Sequence, residues 1–407
     1  MSRDILIMDL IHGGELLAER FLDLGDRVWC ADVYGTAPEH LKEGIRAKGA
    51  TVTEKVIPRE YDLLVSPVHC PDKFLGEARF SERMTFHEAV SLFLDDTPFR
   101  IEVTGVKGKT SLCYLLAHIL SSCGRKVFLH TSRGQGLYSN GKHRITAQKS
   151  IAPTSLLELP DGDYDTVITE ISLGGTGKAD IGIITNVAED YGIAANTGKA
   201  SDAKASMLSS SGINIVRREE LDSWRSRGDF NIIPYGGSVE IIGAPQLGEP
   251  LALKVDYSGE KTVSLKGSYL ALQYVNAVEC AVTVCGCMNV PPEDLIEGLR
   301  SFEGVPGRGE LCFERGGWTI TERNPGISHV SIAGTLSCLK KIGILEETVA
   351  IIDPINKKVC DKLKMREISE TFNRYGVRYF LRKDAEEAIY IPEDAKVILE
   401  FIKEGYQ

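Results

Sequence analysis

The chain has 407 residues, a length that allows two or three domains, each with a core of its own. Hydrophobic residues make up 43% and charged residues 26%, the balance of a globular protein and not of a disordered or fibrous one. A formal net charge of −10 argues against a broad electrostatic partnership with nucleic acid or an anionic membrane, so any anion site must be local. The ten cysteines include no CxxC pair, and the chain is too long for a disulfide-stapled module, so free thiols in a reducing compartment are expected. The close pair Cys285 and Cys287 falls in an apolar run and reads as buried in preference to metal-binding. The apolar run at residues 5–10 is too short for a signal or membrane helix, which points to a cytoplasmic protein.

In chain order, residues 5–10 read as a strand, followed by the loop Ile11-His12-Gly13-Gly14 and a helix over 15–24. Residues 27–31 form a second strand ending at Asp32, and 61–65 a third that leads into Ser66-Pro67. Strand, helix, strand in this rhythm predicts a parallel α/β sheet. An acid after the second strand is a dinucleotide signal, but the full GxGxxG is missing, so a Rossmann-like domain with another duty is the better reading. Thr97-Pro98 breaks the pattern. A strand over 99–103 follows, then strands at 164–169, 181–186 and 213–216, and a long helix over 270–285. Pro306-Gly307-Arg308 reads as a hinge. Beyond it, strands at 348–352, 379–381 and 396–399 alternate with helical segments. The expected fold is α/β with three domains: a Rossmann-like domain over 1–98, a central P-loop domain over 99–308 and a small α/β domain over 309–407.

The strongest chemical signal is the loop Thr104-Gly105-Val106-Lys107-Gly108-Lys109-Thr110-Ser111, set between the strand at 99–103 and an apolar helix over 112–120. A glycine-rich turn here can wrap backbone N–H groups around phosphates at a helix N-terminus. Lys109 would neutralise the β- and γ-phosphates, and the Thr110 hydroxyl would ligate Mg²⁺. The usual P-loop has four residues between its first glycine and the Gly-Lys pair. Only Val106 and Lys107 stand there in this chain.

With that shortened spacing the loop resembles the ATP loop of the Mur ligase family. Further segments resemble the family's motifs in the same order. They are Ser66-Pro67, Ala152-Pro153-Thr154, Ile168-Thr169-Glu170-Ile171-Ser172, the stretch Ala179-Asp180-Ile181 to Thr185-Asn186 with Asp190, Gln273-Tyr274-Val275-Asn276-Ala277, Pro306-Gly307-Arg308-Gly309-Glu310, and Arg323-Asn324-Pro325. The resemblance implies an ATP- and Mg²⁺-dependent ligase that turns a substrate carboxylate into an acyl phosphate for a nucleophile to attack. It implies that Glu170 binds Mg²⁺ with Thr110, that Asn276 lies near adenine, and that Arg308 contacts the nucleotide. Lys204 stands where many members carry a carbamylated lysine that holds a second metal; an ordinary surface lysine is the competing reading.

Several positions depart from the pattern. Tyr191 replaces the histidine that follows Asp190, which puts the second metal in doubt, and Glu189 or Asp190 would have to compensate. Arg323 and Ile320 replace a histidine and a ribose-binding aspartate. These changes argue against an ordinary peptidoglycan enzyme. The run Thr321-Glu322-Arg323-Asn324-Pro325-Gly326-Ile327-Ser328-His329 resembles the branch of the family that closes a carbocyclic ring on a nickel-containing tetrapyrrole. A small-molecule substrate of that kind is therefore expected, for a monomer or homodimer. A ligase joining an amine or amino acid to a carboxylate, and a degenerate nucleotide-binding scaffold acting through a protein partner, remain as alternatives. His12, His69, His87, His130 and His329 are far apart in sequence, and each taken singly reads as structural or exposed before it reads as a nickel ligand.

Overall fold

A computed structural model describes residues 2–187, 190–209, 212–314, 316–353, 363–382, 392 and 395–403. Glu189 and Cys360 lie outside the described residues. The chain divides into two compact units, residues 1–106 with 149–233 and residues 107–148 with 234–407.

In the first unit, a five-stranded parallel sheet carries Thr51–Thr53, Arg27–Ala31, Asp4–Met8, Glu60–Ser66 and Arg79–Thr85 in that spatial order. Asp4–Met8, in the middle, is buried along its whole length, as a central parallel strand must be. Helix Gly14–Asp23 packs Leu17, Ala18 and Phe21 into a core with Ile5, Ile7, Val65 and Phe86. Helix Phe86–Ser91 opens with a capping box, Thr85 and Glu88 satisfying each other's backbone N–H groups. A second parallel set places Phe99–Thr104 between Thr166–Glu170 and Ile181–Ile184, with Ile213–Arg217 beyond the latter.

Asp32 does not await a ribose. It accepts the backbone N–H groups of Thr36 and Ala37 at 3.2 and 3.1 Å and pairs with Lys42 at 2.9 Å, so it is spent on closing its own loop. Gly13 and Gly14 are likewise consumed by packing. A Cβ at Gly13 would lie 1.9 Å from Thr154 Oγ1, and one at Gly14 would lie 1.9 Å from the Asp9 carbonyl. Thr154 donates to the His12 carbonyl at 2.9 Å, which gives Ala152-Pro153-Thr154 a structural duty.

In the second unit, helix Lys109–Ser122 is apolar on nearly every side and buried from Leu112 to Leu120. Helices Val275–Cys287 and Pro292–Ser301 pack on it, the latter so closely that a Cβ on Gly298 would lie 2.8 Å from Ile119. An antiparallel meander, Val127–Thr131, Gly134–Ser139 and Lys142–Ala147, follows the first helix. A three-stranded sheet at Val239–Ile241, Leu251–Asp256 and Glu260–Leu265 precedes the helical pair. The last sheet runs Arg308–Glu314, Gly317–Arg323, Val397–Ile402, Thr348–Asp353, Arg378–Leu381; only its first pair is antiparallel. The helix expected over 270–285 opens as a 3₁₀ turn at Ala271–Tyr274 and becomes α-helical at Val275. Pro306-Gly307-Arg308 is a tied turn: Gly307 has φ 72, the Arg308 N–H returns to the Val305 carbonyl at 2.9 Å, and Glu310 accepts the Gly307 N–H at 2.9 Å. Among the described residues, no helix is long and apolar enough to cross a membrane.

Candidate active site

The glycine-rich loop passes from one unit to the other between Val106 and Lys107. On the first side, Gly105 sits at φ 134 against the end of the strand Ile181–Ile184, where a Cβ would lie 2.0 Å from Thr185 Oγ1. The Val106 N–H bonds the Asn186 carbonyl at 3.0 Å. The pair Thr185-Asn186 therefore shapes the loop, a role its place in the motif did not disclose.

On the second side, Gly108 is the N-cap of helix Lys109–Ser122, at φ 82, with no side-chain cap and nothing within 4 Å of where a Cβ would stand. The 14-residue helix thus begins at Lys109 without a side-chain cap, with the positive end of its dipole at the glycine-rich loop. Thr110 is buried, its hydroxyl 3.2 Å from that of Ser132. Arg308 reaches the same place, one guanidinium nitrogen lying 3.5 Å from both Thr110 Oγ1 and Ser132 Oγ. Its backbone is fixed by Tyr274, a buried phenol that donates to the Arg308 carbonyl at 3.1 Å and accepts the Val305 N–H at 3.0 Å. Arg133 donates to the Pro306 carbonyl at 2.6 Å, bracing the same turn. Lys107 bonds the Gly326 carbonyl at 2.9 Å and Ser328 Oγ at 3.0 Å, which ties the loop to the head of helix His329–Ile342. The second unit therefore brings Thr110 and Arg308 together at the head of the helix that Lys109 opens, as the motif order suggests. Ser132 and Arg133 belong to the same cluster and were missed, because a Ser-Arg pair after a short strand carries no signal in sequence.

The Glu322 carboxylate accepts Gln273 Nε2–H at 2.7 Å and the Thr335 hydroxyl at 3.2 Å. Its pKa is raised because burial outweighs those bonds and the nearby Arg308. Asn276 is exposed on the first turn of helix Val275–Cys287. Arg323 is exposed at a strand end, its N–H on the Gly307 carbonyl at 2.8 Å.

In the first unit, Glu170 ends the strand Thr166–Glu170 and is buried, so it is no solvated strand end. Lys204 is not a surface lysine. It is fully buried, with Nζ 5.5 Å from the Tyr191 ring, so the residue replacing the family's histidine lies over that amine. Asp190 accepts the N–H and hydroxyl of Ser201 at 2.9 and 3.0 Å, capping the start of helix Ala200–Lys204.

One cluster has no precedent in the motif series. His12 and His69 are 57 residues apart in sequence, yet their rings meet edge to face at 5.1 Å beside Asp9. Scattered in sequence, these two histidines are neighbours in the fold.

A glycine-rich loop before an apolar helix, an arginine returned to that helix by a later turn, and a separate parallel sheet before it are the build of a carboxylate-activating, ATP-dependent ligase of the Mur type. Residues 103–214 match the Mur ligase middle domain. The chain belongs to the Mur ligase family of ATP-dependent ligases. It is 38% identical to coenzyme F(430) synthetase of Methanosarcina acetivorans, over 92% of this chain and 88% of that protein. It is 26% identical to coenzyme F(430) synthetase of Methanocaldococcus jannaschii, over 99% and 94%. Among solved structures, MurF ligase of Thermotoga maritima in complex with ADP shares the fold with a TM-score of 0.56 at 13% identity, covering 93% of this chain and 91% of that one.

Proposed function

We propose that this protein is a coenzyme F(430) synthetase, which uses ATP to activate a propionate side chain of a nickel-containing seco tetrapyrrole. The observation that carries this reading is the 38% identity to the Methanosarcina acetivorans enzyme along 92% of the chain. The carboxylate oxygen takes the γ-phosphoryl group and ADP leaves. A ring carbon that has lost its proton then attacks the acyl carbon, phosphate departs, and a six-membered carbocyclic ketone closes.

Phosphoryl transfer asks a protein for alignment and charge neutralisation more than for covalent help. We assign Gly105, Val106, Lys107, Gly108 and Ser111 to the backbone cradle, Lys109 to the β- and γ-phosphates, and Thr110 and Glu170 to Mg²⁺. Arg308 is assigned to the transferring phosphoryl group, Asn276 to adenine and Lys204 to carbamylation. The bound magnesium would supply electrostatic stabilisation of the phosphate oxygens. The division 1–98, 99–308 and 309–407 is proposed as substrate-binding, nucleotide-binding and closing parts. The head of helix Lys109–Ser122, which begins after Gly108 without a side-chain cap, and Arg308 beside Thr110 support the nucleotide assignments.

The test is to supply ATP, Mg²⁺ and the seco precursor, with the expected outcome that the absorption spectrum shifts to that of the mature coenzyme as ADP accumulates. An unchanged spectrum, with ADP released only when an amino acid is added, would replace this reading by an amide ligase.

A further inference from the structure

Asp9, His12 and His69 form the only group among the described residues that brings three potential metal-ligating side chains together, their ligand atoms all within 4.8 Å of one another. The cluster stands at the end of the central strand Asp4–Met8, away from the glycine-rich loop in sequence and unused by the assignments above. Asp9 is fully buried and holds φ 74, an uncommon conformation for a residue with a side chain. That backbone aims its carboxylate at the following loop. One oxygen accepts the Ile11 N–H at 3.0 Å and the other meets His12 Nδ1 at 2.5 Å. A histidine that gives its Nδ1–H to a carboxylate keeps its lone pair on Nε2, oriented and made more basic, which is how proteins prepare an imidazole for a metal. The His12 side chain is 42% exposed.

The surroundings are flat and aromatic. His69 meets the His12 ring edge to face at 5.1 Å; Tyr34 lies near-parallel to His69, 6.4 Å away; and Phe74 meets Tyr34 at 5.4 Å. Tyr34 is 37% exposed and Ile11 42% exposed. An imidazole among aromatic side chains suits a planar macrocycle whose central metal retains an axial position.

We propose that Asp9, His12 and His69 form a nickel-recognition site in which His12, held by Asp9, ligates the substrate's nickel axially while His69 and Tyr34 flank the ring. This proposal rests on the tetrapyrrole reading above and adds where and how such a substrate is gripped. Neutral imidazole is a favourable ligand for Ni²⁺, and an axial bond registers on the metal and not on the macrocycle's periphery. The same ligand set could take nickel from a free ion, so the two sources are separated by experiment.

The full-length protein is titrated with the nickel seco precursor, with the same macrocycle lacking nickel, and with nickel chloride, for wild type, His12→Ala and His69→Ala. Wild type is expected to bind the nickel macrocycle about 10- to 100-fold more tightly than the metal-free one, the range over which a metal ligand or its support acts. The bound nickel is expected to show the paramagnetic NMR shifts of an axially ligated ion. In His12→Ala the preference is expected to collapse towards unity and the paramagnetic signature to vanish, with binding of the metal-free ring unchanged. Equal affinities in wild type, or a signature retained in His12→Ala, would overturn the proposal. So would nickel chloride binding that both variants lose while the macrocycle preference persists, which would make this a free-ion site. Should His12→Ala not fold, the wild-type affinity ratio decides alone. If neither macrocycle binds wild type, the tetrapyrrole reading itself fails; if wild type turns over while the ratio is unity, only this inference does.

Discussion

Gly105 and Lys109 stand four residues apart in one loop and fail for different reasons when changed. Gly105 is held at φ 134 with Thr185 Oγ1 2.0 Å from any added Cβ, so Gly105→Ala meets both backbone strain and a collision. Strain of this kind costs about 1–3 kcal/mol, and the shift needed to relieve the contact displaces the loop as well. A lowered melting temperature with weakened ATP binding is expected; wild-type values for both would refute the account. Lys109 is half-buried at the helix head, and its loss removes charge and not packing. Lys109→Ala is expected to lower turnover by about 100-fold or more, the usual scale for deleting a preorganised charge, with the thermal melt unchanged. Near-full activity would remove Lys109 from the site.

These residues were legible in sequence because a phosphate loop is built from consecutive positions, so its chemistry is written in one dimension. Arg308 was legible only through the order of motifs, since nothing local in Pro306-Gly307-Arg308 says that the chain returns to Thr110. Ser132, Arg133 and the Asp9–His12–His69 cluster carried no local signal. Their proximity is created by the fold, and 57 residues separate the two histidines.

At the scale of elements, burial decided what could be read. The strands at Asp4–Met8 and Ile181–Ile184 are buried along their whole lengths, and their apolar runs announced them. The edge strand Arg79–Thr85 was missed because its first five residues are all exposed and Arg79, Glu82 and Arg83 are charged, the same feature that keeps an edge from pairing with another chain. The exposed strand Lys142–Ala147 is hidden for the same reason. A single side chain can also carry an element. Glu279, buried within helix Val275–Cys287, accepts the backbone N–H groups of Gly237, Ser238 and Val239 at 3.0, 2.9 and 3.1 Å and the Ser238 hydroxyl at 2.6 Å. It thereby anchors the entry to the strand Val239–Ile241. Glu279→Gln keeps the shape but turns one acceptor into a donor facing N–H or O–H groups. The expected loss is about 3–6 kcal/mol, from two bonds to a charged group each worth about 1.5–3 after solvation. Denaturant titration measures it, and a loss within error of zero would show that water satisfies the turn equally well.

For the whole molecule, the ionisations that folding suppresses set the acid limit of stability. His87 is buried, and both its ring nitrogens lack a hydrogen-bond partner among the described residues. Burial pushes its pKa down to about 3, with smaller contributions in the same direction from His69 and Lys204. His143 is lowered to about 4, mainly by burial, with Arg133 and His130 adding to the effect. A histidine depressed in the folded state remains neutral there while the unfolded chain binds a proton below its ordinary value of 6.5. The unfolded state then holds more protons, so stability falls as pH drops through 6.5 and goes on falling until the folded value is reached. For His87 alone the limiting slope is about 1.4 kcal/mol per pH unit. His87→Phe removes that proton from the balance, so between neutral pH and pH 5 its stability is expected to fall less steeply than that of wild type, whatever its starting level. Denaturant titrations at stepped pH give both slopes, and parallel slopes would mean that His87 is already protonated in the folded protein. Because the comparison is of slopes, a variant that is less stable at pH 7 still answers the question.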